Sequence, residues 1–358
     1  MKSNYNLMCF IGRMQPVHAE HVRIINDAFE QADNVLILVG GAGKARTTRD
    51  PFTYEERVKM IAESVIVPDG KRLFARPLRD FPYADDLWVK QVKNVVKGVQ
   101  FDIANGGGFA NNGTSDVKTG LIGADKDSSS YYLKLFPEWD FVDVGIKNQL
   151  HATAIREGYL LGNFSKHELV SNEITPAVAK FLFEEFNKTD DYWNLKYEME
   201  YINSYRKLWA NTPYPVSFQT CDVVLEHRDR ILLIKRKDYP GKGKLALPGG
   251  HLNIDETILD GCFRELYEET CIDLDRATLE ANIMDTGVFD GINRSQIGRV
   301  ITNAIHIQLP ADMDTPHIVA DDDAEDAMWV PISDLREDNM HDDHHGIISS
   351  FIGWWDVD

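Results

Sequence analysis

The order of the apolar runs constrains this chain more than any other feature. Residues 5–12 (YNLMCFIG) read as a buried strand ending in glycine, and residues 34–40 (NVLILVG) as a second. Between them RMQPVHAEHVRIINDAFEQA carries Val22, Ile24, Ile25 and Phe29 at helical spacing. A helix is expected over 51–66, opened by Pro51, whose missing N–H costs nothing there. A short strand near 73–75 and a helix over 85–98 follow. Strands alternating with helices predict an α/β domain with a parallel, doubly wound (Rossmann-like) sheet and ligands at the carboxyl ends of its strands.

That pattern does not last. The Gly- and Asn-rich stretch 105–120 reads as a loop, 165–209 as mainly helical, and NTPYPVSFQT with its two prolines as a break. Beyond Cys221 come short β runs (CDVVLEH, RILLIKRK, LALPGG, IMDTGVFD, RVITNAIHIQL, AMWVPI) interrupted by one helix over 255–270, the texture of an α+β domain. A length of 358 residues, at roughly 100–200 per domain, also suggests two. The expected division is a first domain over 1–190, a helical, Pro-containing linker over 191–212 and a second domain over 213–358.

Lys and Arg total 38 against 57 Asp and Glu, a formal charge of −19, which argues against a nucleic-acid-coating protein. It leaves small anionic substrates open, because a bound divalent ion inverts the local field. No apolar run approaches the roughly 20 residues needed to span a bilayer. Cys9, Cys221, Cys262 and Cys271 show no CxxC spacing and read as reduced thiols, so a cytoplasmic protein is expected, with a homo-oligomer left open.

The turn after the first strand, Gly12-Arg13-Met14-Gln15-Pro16-Val17-His18-Ala19-Glu20-His21, lies where a helix N-terminus offers free N–H groups and a positive dipole to phosphate. His18 and His21, three apart, share a helix face and could grip one oligophosphate, and Arg13 adds a bidentate donor. Two surface histidines on an ordinary helix would look the same. The whole string, however, resembles GRFQPFHxGH, the signature of the nucleotidylyltransferases, in the branch that adenylylates nicotinamide mononucleotide (NMN). Thr153-Ala154-Ile155-Arg156 is similar to that family's S/T-x-x-R element, and Asp50-Pro51-Phe52-Thr53 with Glu56-Arg57, and 126–132 followed by Phe136-Pro137-Glu138-Trp139, extend the likeness over most of 6–160.

The resemblance implies that ATP transfers its AMP moiety to NMN, giving NAD⁺ and pyrophosphate. His18, His21, Arg13 and Arg156 would hold the triphosphate with Mg²⁺ or Mn²⁺, and Gly12, Met14, Gln15 and Thr153 would line the nucleotide site. Trp88 matches a tryptophan that stacks on nicotinamide, with a core tryptophan on an amphipathic helix as the alternative. Glu20 stands where the family has glycine; pointed at phosphates it would repel them, so it is expected to face solvent. Another acceptor, such as a phosphopantetheine, is the alternative for this domain.

The second constellation runs from Gly250-His251-Leu252-Asn253-Ile254-Asp255-Glu256 to Arg264-Glu265-Leu266-Tyr267-Glu268-Glu269. Glu265, Glu268 and Glu269 fall on one helix face, where like charges repel by about 0.2–0.5 kcal/mol per pair. A hard divalent cation would offset that cost, though a solvated acidic face is also consistent. Glu256, nine residues before Glu265, lies about 180° round the helix and suits an ion pair with Arg264. The spacing matches the Nudix box, G-x5-E-x7-R-E-U-x-E-E-x-G-U, with Cys271 replacing its last glycine.

This second resemblance implies a metal shell of Glu265, Glu268, Glu269 and the Gly250 carbonyl around Mg²⁺ or Mn²⁺. It further implies hydrolysis of ADP-ribose to AMP and ribose 5-phosphate, with a general base from that cluster or from 321–326. Residues 287–302 resemble Nudix domains fused to NMN adenylyltransferases, so Phe289 would stack on adenine and Arg294 would bind phosphate; a core Phe and a surface Arg are equally natural. A non-hydrolytic sensor of NAD metabolites is the alternative from another class. His341, His344 and His345, set among aspartates, read as a solvated tail or helix end.

Overall fold

Residues Leu7, Met8 and Cys9 of β1 (Tyr5–Gly12) are completely enclosed, which requires a strand covered on both faces. The computed structural model, which describes residues 4–105, 117–125, 128–147 and 152–355, supplies that cover. It continues with α1 (Ala19–Gln31), β2 (Ala32–Val39), α2 (Tyr54–Ser64), β3 (Arg72–Pro77), α3 (Asp85–Ala104), β4 (Thr119–Gly123) and β5 (Asp140–Asp143). Then come α4 (Ala152–Leu160), α5 (Lys166–Asn172), α6 (Pro176–Lys180) and α7 (Asp190–Leu208). The five strands lie in the order β3-β2-β1-β4-β5, every pairing parallel. Leu7, Cys9 and Ile11 pack with Leu36 and Leu38 under Val92, Val96 and Val99 of α3. The strand order turns between β1 and β4, so the ligand crevice belongs at the carboxyl end of β1.

The loop expected over 105–120 does not reach its end. Residues 106–116 lie outside the described residues, but Thr119 and Gly120 open β4, a buried central strand. Glycine gives room here: a Cβ on Gly120 would stand 3.0 Å from the side chains of Met8 and Tyr5, which would have to shift by a few tenths of an ångström. The expected linker over 191–212 is, as far as Leu208, the continuous helix α7. The two units of the chain, Met1–Lys196 and Tyr197–Asp358, divide within it.

The second unit contains β6 (Ser217–His227), β7 (Arg230–Arg236), β8 (Leu245–Ala246), β9 (Gly249–His251), α8 (Ile258–Thr270) and α9 (Arg276–Ala281). It ends with β10 (Ile283–Phe289), β11 (Arg299–Gln308), β12 (Ala324–Pro331) and α10 (His344–Ile352). Its mixed sheet runs β10-β11-β6-β7-β12, with β8 on β7, β9 on β6 and β6 parallel to β11. Alternation along β6 sends Cys221, Val223 and Leu225 to Cys262, Phe263 and Leu266 of α8. It sends Val224 to the opposite layer, with Ile347 and Ile348 of α10. Cys271 ends α8 in the left-handed region at φ +41, the conformation that explains why the resembled box has glycine at this place. Among the described residues no helix is long and apolar enough to cross a membrane.

Candidate active sites

The first site grows from the end of β1. Gly40 N–H donates to the Gly12 carbonyl at 3.0 Å, holding the two strand ends together. Met14 adopts φ +54 and is buried, and the Gln15 amide both donates to and accepts from the backbone of Phe52, each at 2.9 Å. His18 caps α1, and its N–H donates to Nδ1 of His21 at 3.2 Å, leaving Nε2 of His21 to carry the ring proton. The two imidazoles stack with centroids 3.6 Å apart.

Arg57, wholly buried, ties this turn together. Its guanidinium donates to the carbonyls of Arg13 (2.7 Å), Gly40 (2.6 Å), Gly41 (3.3 Å) and Thr53 (3.1 Å). Burial lowers its pKa to about 10. Arg156 of α4 reaches the same turn, donating to the Gln15 carbonyl at 2.7 Å and to Thr153 Oγ1 at 3.2 Å. Its Nε is buried with no hydrogen-bond partner, and burial lowers this pKa too, to about 10. A cation so placed gains from an arriving anion.

Arg13 is not a free phosphate donor. Its guanidinium is held by Asp80 at 2.5 Å and Asp50 at 3.2 Å, and Lys44 also pairs with Asp80 at 2.8 Å. Burial alone would raise the Asp80 carboxyl, but Lys44 and Arg13 outweigh it and hold it well below the usual carboxylate range. Glu20 does not face solvent. It is buried, and its Oε1 accepts from Arg23 at 2.6 Å and from the Lys147 N–H at 3.1 Å, so its charge is neutralised inside the fold. Trp88 packs edge-on to Tyr132 at 6.1 Å and against Phe136 at 5.9 Å, part of the flank of the α3 core. Lys126, Asp127 and His151 lie outside the described residues.

The second site is made where α8 meets β9. A Cβ on Gly249 would lie 2.2 Å from the Cys221 carbonyl, so only glycine lets β9 lie this close to β6, and a Cβ on Gly250 would lie 2.5 Å from Glu265 Oε1 and push that carboxylate away. Glu269 Oε2 accepts the Gly249 N–H at 2.9 Å. Burial, with Glu265 and Asp222 nearby, pushes its carboxyl up to about 8. Burial also raises Glu265. Arg264 answers part of this negative charge: it pairs with Glu256 at 2.7 Å, as expected, although Glu256 lies just before α8 and not on its far face, and with Glu265 and Glu268 at 2.8 Å each.

Consequently no three His, Cys, Asp or Glu side chains stand gathered as a ready metal cage among the described residues. Glu268 in particular turns to Arg264 and is half exposed. The donor set nevertheless fits a hard divalent ion: all oxygen, partly buried, with surplus negative charge.

Further expectations are corrected here. Phe289 is a core side chain, 5.5 Å from Phe351 and packed with the Val224 layer, so it presents no face to a base. Arg294 makes a buried, two-pronged ion pair with Asp343 at 2.9 and 3.0 Å, and is neither a surface residue nor open to phosphate. The histidine run does stand at a helix end, since His344 opens α10, but it is no solvated tail. His341, His344 and His345 are buried, because the apolar face of α10 draws its N-terminus inward. His341 N–H donates to the Leu245 carbonyl, and His344 Nδ1 accepts from Leu247 N–H at 2.9 Å.

Within that run Asp342 sits at φ +41, and burial with Asp343 beside it pushes its carboxyl up to about 7, against the pull of Arg294 and Lys244. The folded chain therefore keeps a proton that the unfolded chain releases, so this group's contribution to stability is present below about pH 4 and is lost as the pH rises to about 7. Asp342→Asn should accordingly raise the Tm more near pH 8 than near pH 4. An equal gain at both would show that the buried carboxyl is ionised throughout.

Comparison with known proteins decides the family. The family model described as NUDIX domain matches residues 218–351, and Cytidylyltransferase-like matches residues 9–97. The nicotinamide/nicotinic acid mononucleotide adenylyltransferase of Acinetobacter baylyi is 38% identical over 159 residues, 44% of this chain and 77% of that protein. The ADP-ribose pyrophosphatase of Methanocaldococcus jannaschii is 33% identical over 133 residues, 37% of this chain and 72% of that protein. A crystal structure of a bifunctional NMN adenylyltransferase/ADP-ribose pyrophosphatase from Francisella tularensis, complexed with AMP and Mn ion, matches at 32% identity and TM-score 0.85, covering 98% of this chain and 99% of that one. The chain belongs to the bifunctional NMN adenylyltransferase/ADP-ribose pyrophosphatase family. The chain thus holds, in one bifunctional adenylyltransferase/pyrophosphatase, the His18–His21–Arg156 turn in its first unit and the Glu265–Glu269–Gly250 contact in its second.

Proposed function

We propose that this enzyme makes NAD⁺ from NMN and ATP in its first unit and hydrolyses ADP-ribose to AMP and ribose 5-phosphate in its second, with the upstream domain over 1–190 and the downstream one over 213–358. The observation that carries the reading is that one chain holds both an imidazole–guanidinium turn at a helix N-terminus and a glutamate-lined glycine turn. In the first reaction a 5′-phosphate oxygen of NMN bonds to the α-phosphorus of ATP, the α–β bridging P–O bond breaks, and pyrophosphate leaves. No protein nucleophile is needed, so the work is positioning and charge stabilisation. His18 and His21 hold the phosphates at the α1 N-terminus, Arg156 closes over them, and Gln15 and Thr153 fix the turn and that arginine.

In the second reaction water adds to a diphosphate phosphorus and the bridging P–O bond breaks, releasing the two monophosphates. Glu265, Glu269 and the Gly250 carbonyl would hold a divalent cation, with Glu268 joining once it leaves Arg264. When bound, that ion supplies Lewis-acid charge to the diphosphate. Mg²⁺ accompanying ATP serves the first site. We place the enzyme in the cytoplasm, where its buried free thiols Cys9, Cys221 and Cys262 stay reduced.

The test is incubation of the full chain with Mg²⁺ or Mn²⁺ and separate substrates, products being resolved by chromatography. NMN plus ATP should yield NAD⁺ and pyrophosphate, and ADP-ribose should be cleaved faster than NADH or diadenosine polyphosphates. Turnover of phosphopantetheine in place of NMN, or preference for another diphosphate, would overturn the corresponding half.

A further inference from the structure

With Phe289 in the core, the base of the hydrolase substrate has no assigned partner. The second unit does display a run of aromatic rings elsewhere. Tyr201, Tyr205 and Trp209 follow one another at four-residue spacing along and just beyond α7, and so share a helix face. Their rings lie 6.4 Å apart in each successive pair. Phe218, at the start of β6, packs on Tyr205 at 5.8 Å and edge-on to Trp209 at 5.3 Å. Phe218 in turn meets the His251 ring at 5.7 Å.

This platform is fixed in place. Arg206, set between Tyr205 and Trp209 in the chain, donates twice to the Gln296 carbonyl, at 3.0 and 2.7 Å. Gly298 lets Phe218 lie flat against the chain, since a Cβ there would be 3.1 Å from the ring. Yet Trp209 remains 42% exposed. Core stability alone favours covering so large an apolar ring. What singles out its occupant is continuity with the hydrolytic site: the run ends at His251, the neighbour of Gly250, and the His251 carbonyl accepts from Arg264 at 3.0 Å.

We propose that Trp209, backed by Tyr205 and Phe218, is the stacking surface for the base of the nucleoside diphosphate substrate, the diphosphate crossing His251 and Gly250 to reach Glu265 and Glu269. The inference rests on the hydrolase reading above. A base has an aromatic face that stacks on indole whatever its hydrogen-bonding edge, whereas a bare sugar phosphate has none.

The experiment compares the full chain with Trp209→Ala and Trp209→Phe in the presence of Mn²⁺. The alanine variant should raise the KM for ADP-ribose about ten- to a hundredfold with kcat within about twofold, and the phenylalanine variant should recover most of the loss. As competing products, AMP should lose affinity by the same factor while ribose 5-phosphate keeps its own. An unchanged KM in the alanine variant, or equal weakening of both products, overturns the proposal. If the native chain cleaves no ADP-ribose, the hydrolase reading fails by itself. Stacking is then decided by the tryptophan emission lost on AMP titration: a component missing from Trp209→Phe supports it, and identical titrations overturn it.

Discussion

Glu269→Gln is expected to cut ADP-ribose hydrolysis by more than about a hundredfold and leave NAD⁺ synthesis within about twofold. The lower bound follows from the cost of disturbing residues that merely support metal ligands, about 10–100-fold; removing an anionic donor outright costs more. Glutamine has the same length and keeps an oxygen for the Gly249 N–H, so the turn at β9 survives the change. Steady-state rates with Mn²⁺ for both reactions, with Tm as a check on folding, make the measurement. Loss of both activities together, or persistence of hydrolysis, would show that the acidic helix does not serve the second reaction.

His18→Ala is expected to do the reverse, lowering adenylyl transfer by about 10²–10³-fold while ADP-ribose hydrolysis is untouched. That is the typical effect of removing one preorganised donor to a charge that develops in the transition state. The His18 backbone N–H still donates to His21, so the start of α1 is retained in the variant. A rate within about threefold of the native chain would mean that the stacked imidazoles are only a helix cap, too little to count as transition-state stabilisation.

Much of this architecture is written in periodicity. Apolar runs of strand length announce β1 and β2, and the carboxylate spacing places Glu265, Glu268 and Glu269 on α8 with Arg264 turned to Glu256. What escapes notice has identifiable causes. β4 is a five-residue strand with two glycines, which by composition belongs to the loop before it. α10 opens on a run of aspartate and histidine that looks solvated, while Ile347 and Ile348 behind it are core residues and its first six residues are buried. Single side chains are harder still. Glu20 is enclosed by a residue three positions on and by a backbone N–H 127 positions away, and the latter contact leaves no local trace. Arg294 finds Asp343 across 49 residues in the same way. Tyr201, Tyr205 and Trp209 stand at helical spacing in the sequence, but only packing shows that they lead to Phe218 and His251.

The four carbonyls gathered by Arg57 have a consequence for turnover. The segments at Arg13, Gly40–Gly41 and Thr53 cannot part without stranding a buried guanidinium, so they hold one shape with or without nucleotide. The disorder of three chain segments was given up once, when the protein folded, and is not lost again each time a triphosphate arrives.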